Sequence, residues 1–139
     1  MSRPKIYGLS VIDPLKSKVN AMQGGKITVA LVGNPNCGKT TLLNRITRSK
    51  ESVGNYPRVT VALKRKEFTH QGQVIELVDL PGIYALTSQT PEERETRDFI
   101  HSGQVDIIIN VQDACNLERS LFLTSQLIEM GHPLLFVLN

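Results

Sequence analysis

Gly33-Asn34-Pro35-Asn36-Cys37-Gly38-Lys39-Thr40 is a complete G-x-x-x-x-G-K-T run, and it follows directly on the apolar stretch Ile27-Thr28-Val29-Ala30-Leu31-Val32. That order decides the fold. A buried strand delivers the chain to a loop whose amides turn inward on an anion, and Thr41-Leu42-Leu43-Asn44-Arg45-Ile46 reads as a helix whose positive N-terminus faces that anion. The two glycines allow close backbone approach, Lys39 reaches toward the β- and γ-phosphates of a nucleotide, and the Thr40 hydroxyl is a ligand for Mg²⁺. At background composition the four fixed positions coincide by chance on the order of once in two hundred chains of this length. The flanks lower that further, so the motif predicts nucleotide-phosphate binding.

Past this helix, residues 49–60 are polar and turn-rich, as suits an exposed loop. Val59 to Phe68 alternates loosely and carries Lys64, Arg65, Lys66 and Glu67, the pattern of an edge strand, whereas Val74-Ile75-Glu76-Leu77-Val78 is more apolar and reads as central. Gln71-Gly72 between them marks a hairpin. Pro91-Glu92-Glu93-Arg94 opens a helix, with proline at its first position and acids in its first turn. Val105 to Val111 is a further buried strand. Asn116 is read as the cap of a long amphipathic helix with Leu117, Leu121, Leu127 and Ile128 on one side and Gly131 as its stop. Leu134 to Leu138 begins another strand. Strands alternating with helices imply a parallel sheet with right-handed crossovers and one antiparallel edge hairpin.

With 139 residues, 40% of them hydrophobic, the chain supports a single core. Its apolar runs are about half the length of a bilayer crossing, and no signal-peptide stretch opens it. Cys37 and Cys115 lack metal-binding spacing, which makes reduced cytoplasmic thiols the expectation. A helix N-terminus beside Cys37 would lower its pKa; the plainer reading is a small residue that fits a crowded turn. The net charge of +3 does not by itself argue for nucleic acid. Residues 1–25 hold Arg3, Lys5, Lys16 and Lys18 against Asp13, with Pro4, Pro14 and three glycines, and read as a basic, flexible arm ahead of a domain at 26–139.

Asp79-Leu80-Pro81-Gly82 narrows the chemistry. An aspartate at the end of the strand beside the loop orients Mg²⁺, and the Gly82 amide then contacts a γ-phosphate. Thr60, in the loop after the first helix, is placed to complete the Mg²⁺ shell. Together Lys39, Thr60 and Gly82 describe a GTPase switch in which two loops are ordered by the γ-phosphate and released on hydrolysis.

Four segments carry a closer resemblance: residues 33–42, Val53-Gly54-Asn55-Tyr56-Pro57 with Val59-Thr60-Val61, Val78 to Tyr84, and Asn110-Val111-Gln112-Asp113-Ala114-Cys115-Asn116-Leu117-Glu118-Arg119. They resemble the N-terminal G domain of FeoB, the prokaryotic ferrous iron transporter, the last segment being the most discriminating. The resemblance implies an α/β, Ras-like P-loop NTPase with helices on both faces of a mostly parallel sheet. It implies GTP and GDP as ligands held by residues 33–41, 59–61, 79–82 and Asn139, with Mg²⁺ at Thr40, Thr60 and Asp79. It further implies K⁺ at Asn36, standing in for an arginine finger, and a transmembrane permease as partner at the cytoplasmic face of the inner membrane. Arg58 and Ala62 depart from the family's glycine and glutamate around Val-Thr-Val, and Ile83 stands where Ras-like enzymes hold a water-orienting glutamine. Asn139 looks like the first residue of the family's base-reading Asn-x-x-Asp. On this reading the C-terminal part of the domain is missing, one sheet face and edge lie open, and the isolated chain separates GTP from ATP weakly and tends to associate. His70, His101 and His132 are scattered with no acidic or thiol partners at ligand spacing, so no iron site is expected; the run from Asp113 to Arg119 disfavours a nucleic-acid partner. An RNA-linked or ribosome-assembly GTPase of the Era type, and an inactive fragment, are the alternatives.

Overall fold

The computed structural model describes residues 5–7, 25–47 and 63–139. Thr60 and its neighbours Val59 and Val61, and all of the arm except Lys5–Tyr7 and Gly25, lie outside the described residues.

The strands are β1 (Lys5–Tyr7), β2 (Lys26–Gly33), β3 (Lys64–His70), β4 (Gln73–Asp79), β5 (Ile107–Gln112) and β6 (Leu134–Leu138). They form one sheet in the order β1-β6-β5-β2-β4-β3. Helices α1 (Lys39–Ile46), α2 (Pro91–His101) and α3 (Leu117–Glu129) connect them. β2 is paired in parallel with β4 on one side and β5 on the other, and β5 runs parallel to β6. A strand buried between two neighbours and covered on both faces must be apolar at successive positions. β2 meets this, being buried at every residue from Ile27 on.

One face of the sheet carries Ala30, Val32, Val78 and Ile108 against Phe99 and Ile100 of α2 and Leu123 and Leu127 of α3. The other carries Ile27, Val29, Leu31 and Leu77 against Leu43 of α1. Ile75, Ile107 and Ile109 on that second face are only partly buried.

The β3–β4 hairpin turns at Gln71 and Gly72, both at positive φ (49° and 79°), the geometry of a primed two-residue turn. Its antiparallel edge is the one the sequence leads one to expect. A second antiparallel edge was not anticipated: Lys5, Ile6 and Tyr7 pair with Leu138, Val137 and Phe136. The edge of β6, expected to lie open, is therefore covered by part of the segment read as flexible. Three residues are too few to show a period, so strand addition at this edge leaves no mark on the local pattern.

Two features of α3 also differ from the sequence reading. Its buried face is Ser120, Leu123, Thr124 and Leu127, while Leu117, Leu121 and Ile128 are exposed. Asn116 occupies the cap position without a side-chain cap bond; instead Asp113 caps a short 3₁₀ turn, Ala114–Asn116, by accepting from the Cys115 amide.

At α2 the capping reads as expected and goes further. Thr90 Oγ1 accepts from the Glu93 amide at 3.1 Å, while Glu93 Oε2 accepts from Thr87 Oγ1 at 2.7 Å and from the Gln89 amide at 3.1 Å. These bonds hold the Glu93 carboxyl below its ordinary value, the Thr87 hydroxyl contributing most. A folded-state pKa below the unfolded one adds stability above the unfolded pKa, and that stability is lost as pH falls through the folded value. Glu93→Gln is thus expected to lower the thermal midpoint at neutral pH and to have no effect once pH is below the folded-state pKa. Thermal melts by circular dichroism across the acid range check this; an equal loss at every pH would contradict it.

Candidate functional site

β2 ends at Gly33, and the chain turns at once. The Cys37 amide donates to the Asn34 carbonyl at 3.2 Å, Asn36 sits at φ 62° and Gly38 at φ 99°. Gly38 is the N-cap of α1 and offers no side chain to it. The first amides of the helix are therefore free of a side-chain cap, which makes them donors for an anion. Lys39, the first residue of α1, is only 8% exposed. Residues 36–41 line an open cavity of about 330 Å³.

Asp79 ends β4, in register with Leu31 of β2. Thr40 Oγ1 donates to Asp79 Oδ2 at 3.1 Å, joining the two residues that the sequence assigns to Mg²⁺. Asp79 Oδ1 is buried with no hydrogen-bond partner among the described residues. A buried carboxylate oxygen without a donor beside a hydroxyl is the donor set a hard divalent cation takes, so these residues fit Mg²⁺.

After Asp79 the chain stays against the loop. The Leu80 amide donates to the Leu31 carbonyl at 3.2 Å and the Ile83 amide to the Gly33 carbonyl at 3.1 Å. Gly82 lies so close to the loop that a Cβ there would sit 2.8 Å from Pro35 Cα. Ile83 is 3% exposed and belongs to the core, so its side chain is turned away from the loop's open side. Farther along, Arg119 stacks on the Tyr84 ring at 3.9 Å, and Gln126 Oε1 accepts from the Leu86 amide at 2.8 Å, fastening this segment to α3.

Asn139 reaches the same loop from β6. Its Nδ2 donates to the Cys37 carbonyl at 3.1 Å, and its backbone is held by Gln112 and Ala114. Cys37 itself is 3% exposed, and burial raises its thiol pKa against the opposing pull of Lys39. Desolvation therefore outweighs the helix N-terminus, and the plainer reading of Cys37 is the one the geometry fits.

Sequence reasoning missed a set of buried polar residues behind the loop: Asn110 and Gln112 on β5, Ser120 and Thr124 on α3. A signal was present. Polar residues two apart in a strand and four apart in a helix each share one face, and each pair encloses only apolar residues, Val111 in one and Leu121-Phe122-Leu123 in the other.

The family described as Ferrous iron transport protein B matches residues 27–139. The chain is 50% identical over 117 residues to the Fe(2+) transport protein A/Fe(2+) transporter FeoB fusion protein of Porphyromonas gingivalis, which covers 84% of this chain and 14% of that protein. The chain thus spans about one seventh of the length of this curated relative. Among solved structures it is similar to the G domain of the T. maritima FeoB iron transporter, with a TM-score of 0.69 and 36% identity over 80% of this chain and 86% of that one. It is also similar to a GDP-bound mutant of the S. thermophilus FeoB G-domain, with a TM-score of 0.68 and 49% identity over 78% of this chain and 42% of that one. Sequence and fold agree from β2 to Asn139, and the chain belongs to the ferrous iron transport protein B family, as a G domain with the Ras-like P-loop fold.

Proposed function

We propose that the chain is the nucleotide-operated switch of a ferrous iron transporter: it binds GTP and GDP at the phosphate loop, hydrolyses GTP slowly, and reports the bound state to a permease at the cytoplasmic face of the membrane. The observation that carries this reading is the Thr40–Asp79 hydrogen bond, which sets a hydroxyl and a half-buried carboxylate side by side at the uncapped N-terminus of α1.

In this reading Lys39 and the loop amides of residues 34–40 hold the phosphates, and Thr40, Asp79 and Thr60 hold Mg²⁺. When bound, Mg²⁺ neutralises charge that develops between the β- and γ-phosphates. Gly82 offers its amide to the γ-phosphate, and the close fit to Pro35 keeps it within reach of the loop. Val59, Val61, Leu80 and Pro81 shape the two switch segments. Asn139 stands beside the base. Asn36, exposed at the mouth of the loop, presents a neutral amide oxygen of the kind K⁺ accepts. Ile83 leaves no side chain to orient a water, which fits slow turnover.

The test is phosphate release from GTP, measured for the parent chain and for Asn36→Ala in potassium and in sodium. Potassium is expected to speed the parent by at least about tenfold, since a fixed positive charge beside the transferring phosphate acts in the transition state. The variant is expected to lose the difference. Equal rates for the parent in both salts reject the ion's role, and absence of GTP binding rejects the whole reading.

A further inference from the structure

The polar residues behind the loop form a closed path. Asn34 Nδ2 donates to Ser120 Oγ at 3.4 Å, and Ser120 lies one helical turn before Thr124, whose Oγ1 donates to the Ser120 carbonyl at 3.0 Å. Thr124 Oγ1 in turn accepts from Asn110 Nδ2 and Gln112 Nε2, both at 2.7 Å. The Gln112 carbonyl accepts from the Asn139 amide at 2.9 Å, and Asn139 Nδ2 donates to the Cys37 carbonyl. The Cys37 amide returns to the Asn34 carbonyl. The path thus leaves the phosphate loop at Asn34 and re-enters it three residues later.

Thr124 is its hub. A hydroxyl has one hydrogen to donate and two lone pairs to accept, and here all three are used in a side chain 4% exposed. Asn110 is 1% exposed and Gln112 7%, so neither amide has water as a substitute. Asn34, 5% exposed, has no partner for its Oδ1 among the described residues, and its Nδ2 bond to Ser120 is what ties its side chain to α3.

We propose that Ser120 and Thr124 are positioning residues for nucleotide binding. From α3 they set the phosphate loop through Asn34, and the base-side residue Asn139 through Gln112. This rests on the reading that nucleotide binds at the loop. The two hydroxyls touch no ligand; they fix the relative place of two segments that do, so α3 becomes the common reference for both ends of the nucleotide.

The experiment measures dissociation of a fluorescent GDP analogue from the parent chain, Ser120→Ala, Thr124→Val, Thr124→Ser and Leu127→Val, at a temperature where circular dichroism shows each folded. Leu127→Val is the control: it trims the same buried face of α3 outside the path. Ser120→Ala is expected to speed dissociation about threefold and Thr124→Val about tenfold, because the latter strands two buried amides. Thr124→Ser is expected to restore the parental rate, and Leu127→Val to lower the thermal midpoint while leaving the rate alone. Unchanged rates in Ser120→Ala and Thr124→Val overturn the proposal, as does an equal acceleration in Leu127→Val. If Thr124→Val does not fold, Ser120→Ala decides. A parent that binds no GDP analogue overturns the nucleotide reading and this proposal with it, whereas a parent that binds while the variants match it overturns this proposal alone.

Discussion

Lys39→Ala is expected to weaken GTP binding by at least about a hundredfold. Lys39 begins α1, where the amides carry no side-chain cap, and it lines the open cavity beside the loop. A hydrogen bond to a charged group contributes roughly 1.5 to 3 kcal/mol, and a lysine shared between the β- and γ-phosphates makes two. Their loss together corresponds to a factor of about a hundred or more in the dissociation constant. Alanine is the best helix former, so α1 is expected to survive and the thermal midpoint of the nucleotide-free chain to change little. Titration with a fluorescent GTP analogue, with a thermal melt on the same sample, separates the two effects. Comparable affinity of variant and parent would remove the phosphate-loop assignment.

The second large effect is expected at Gly33. Its place in the register is opposite Val111, and a Cβ there would run into the Val111 carbonyl oxygen and approach Cys37 Sγ to 2.6 Å. Neither obstacle yields readily, since Val111 belongs to a strand paired on both sides and Cys37 is buried in the loop's turn. Overpacking of this kind costs typically about 1 to 3 kcal/mol. For a domain of this size that is a fall of several degrees in thermal midpoint. Gly33→Ala is expected to show both that loss and weaker nucleotide binding, because the displaced groups are a backbone carbonyl of β5 and the turn that aims the loop amides. A Gly33→Ala chain with the parental midpoint would mean that β2 and β5 are farther apart than described.

What could be read in the sequence is what is decided locally. The phosphate loop, its strand and its helix occupy twenty-one consecutive positions, Lys26 to Ile46, and each residue type is dictated by its immediate neighbours. The hairpin at Gln71-Gly72 and the proline start of α2 are likewise short-range signals. What could not be read depends on partners far along the chain. Leucine count favours Leu117, Leu121 and Ile128 as the inner face of α3, yet the sheet presents Asn110 and Gln112 there. Hydroxyls at Ser120 and Thr124 answer those amides, and the helix rotates to bring them inward. The Cys37 pKa follows the same rule: the helix N-terminus is visible in the sequence, the burial is not. Thr60 belongs to the legible motifs, but it lies outside the described residues.

The pairing of Lys5–Tyr7 with β6 bears on how the protein behaves in concentrated solution. Leu134-Leu135-Phe136-Val137-Leu138 is uncharged, wholly apolar and free of proline, the composition of a segment that templates cross-β stacking when its backbone is bare. The opposite margin of the sheet guards itself differently, with Lys64, Arg65 and Lys66 along β3, whose charge repels an incoming strand. β6 has no such gatekeeper within it, and its outer backbone is occupied by β1 instead. Trimming the short N-terminal strand is therefore expected to change shelf life before it changes chemistry.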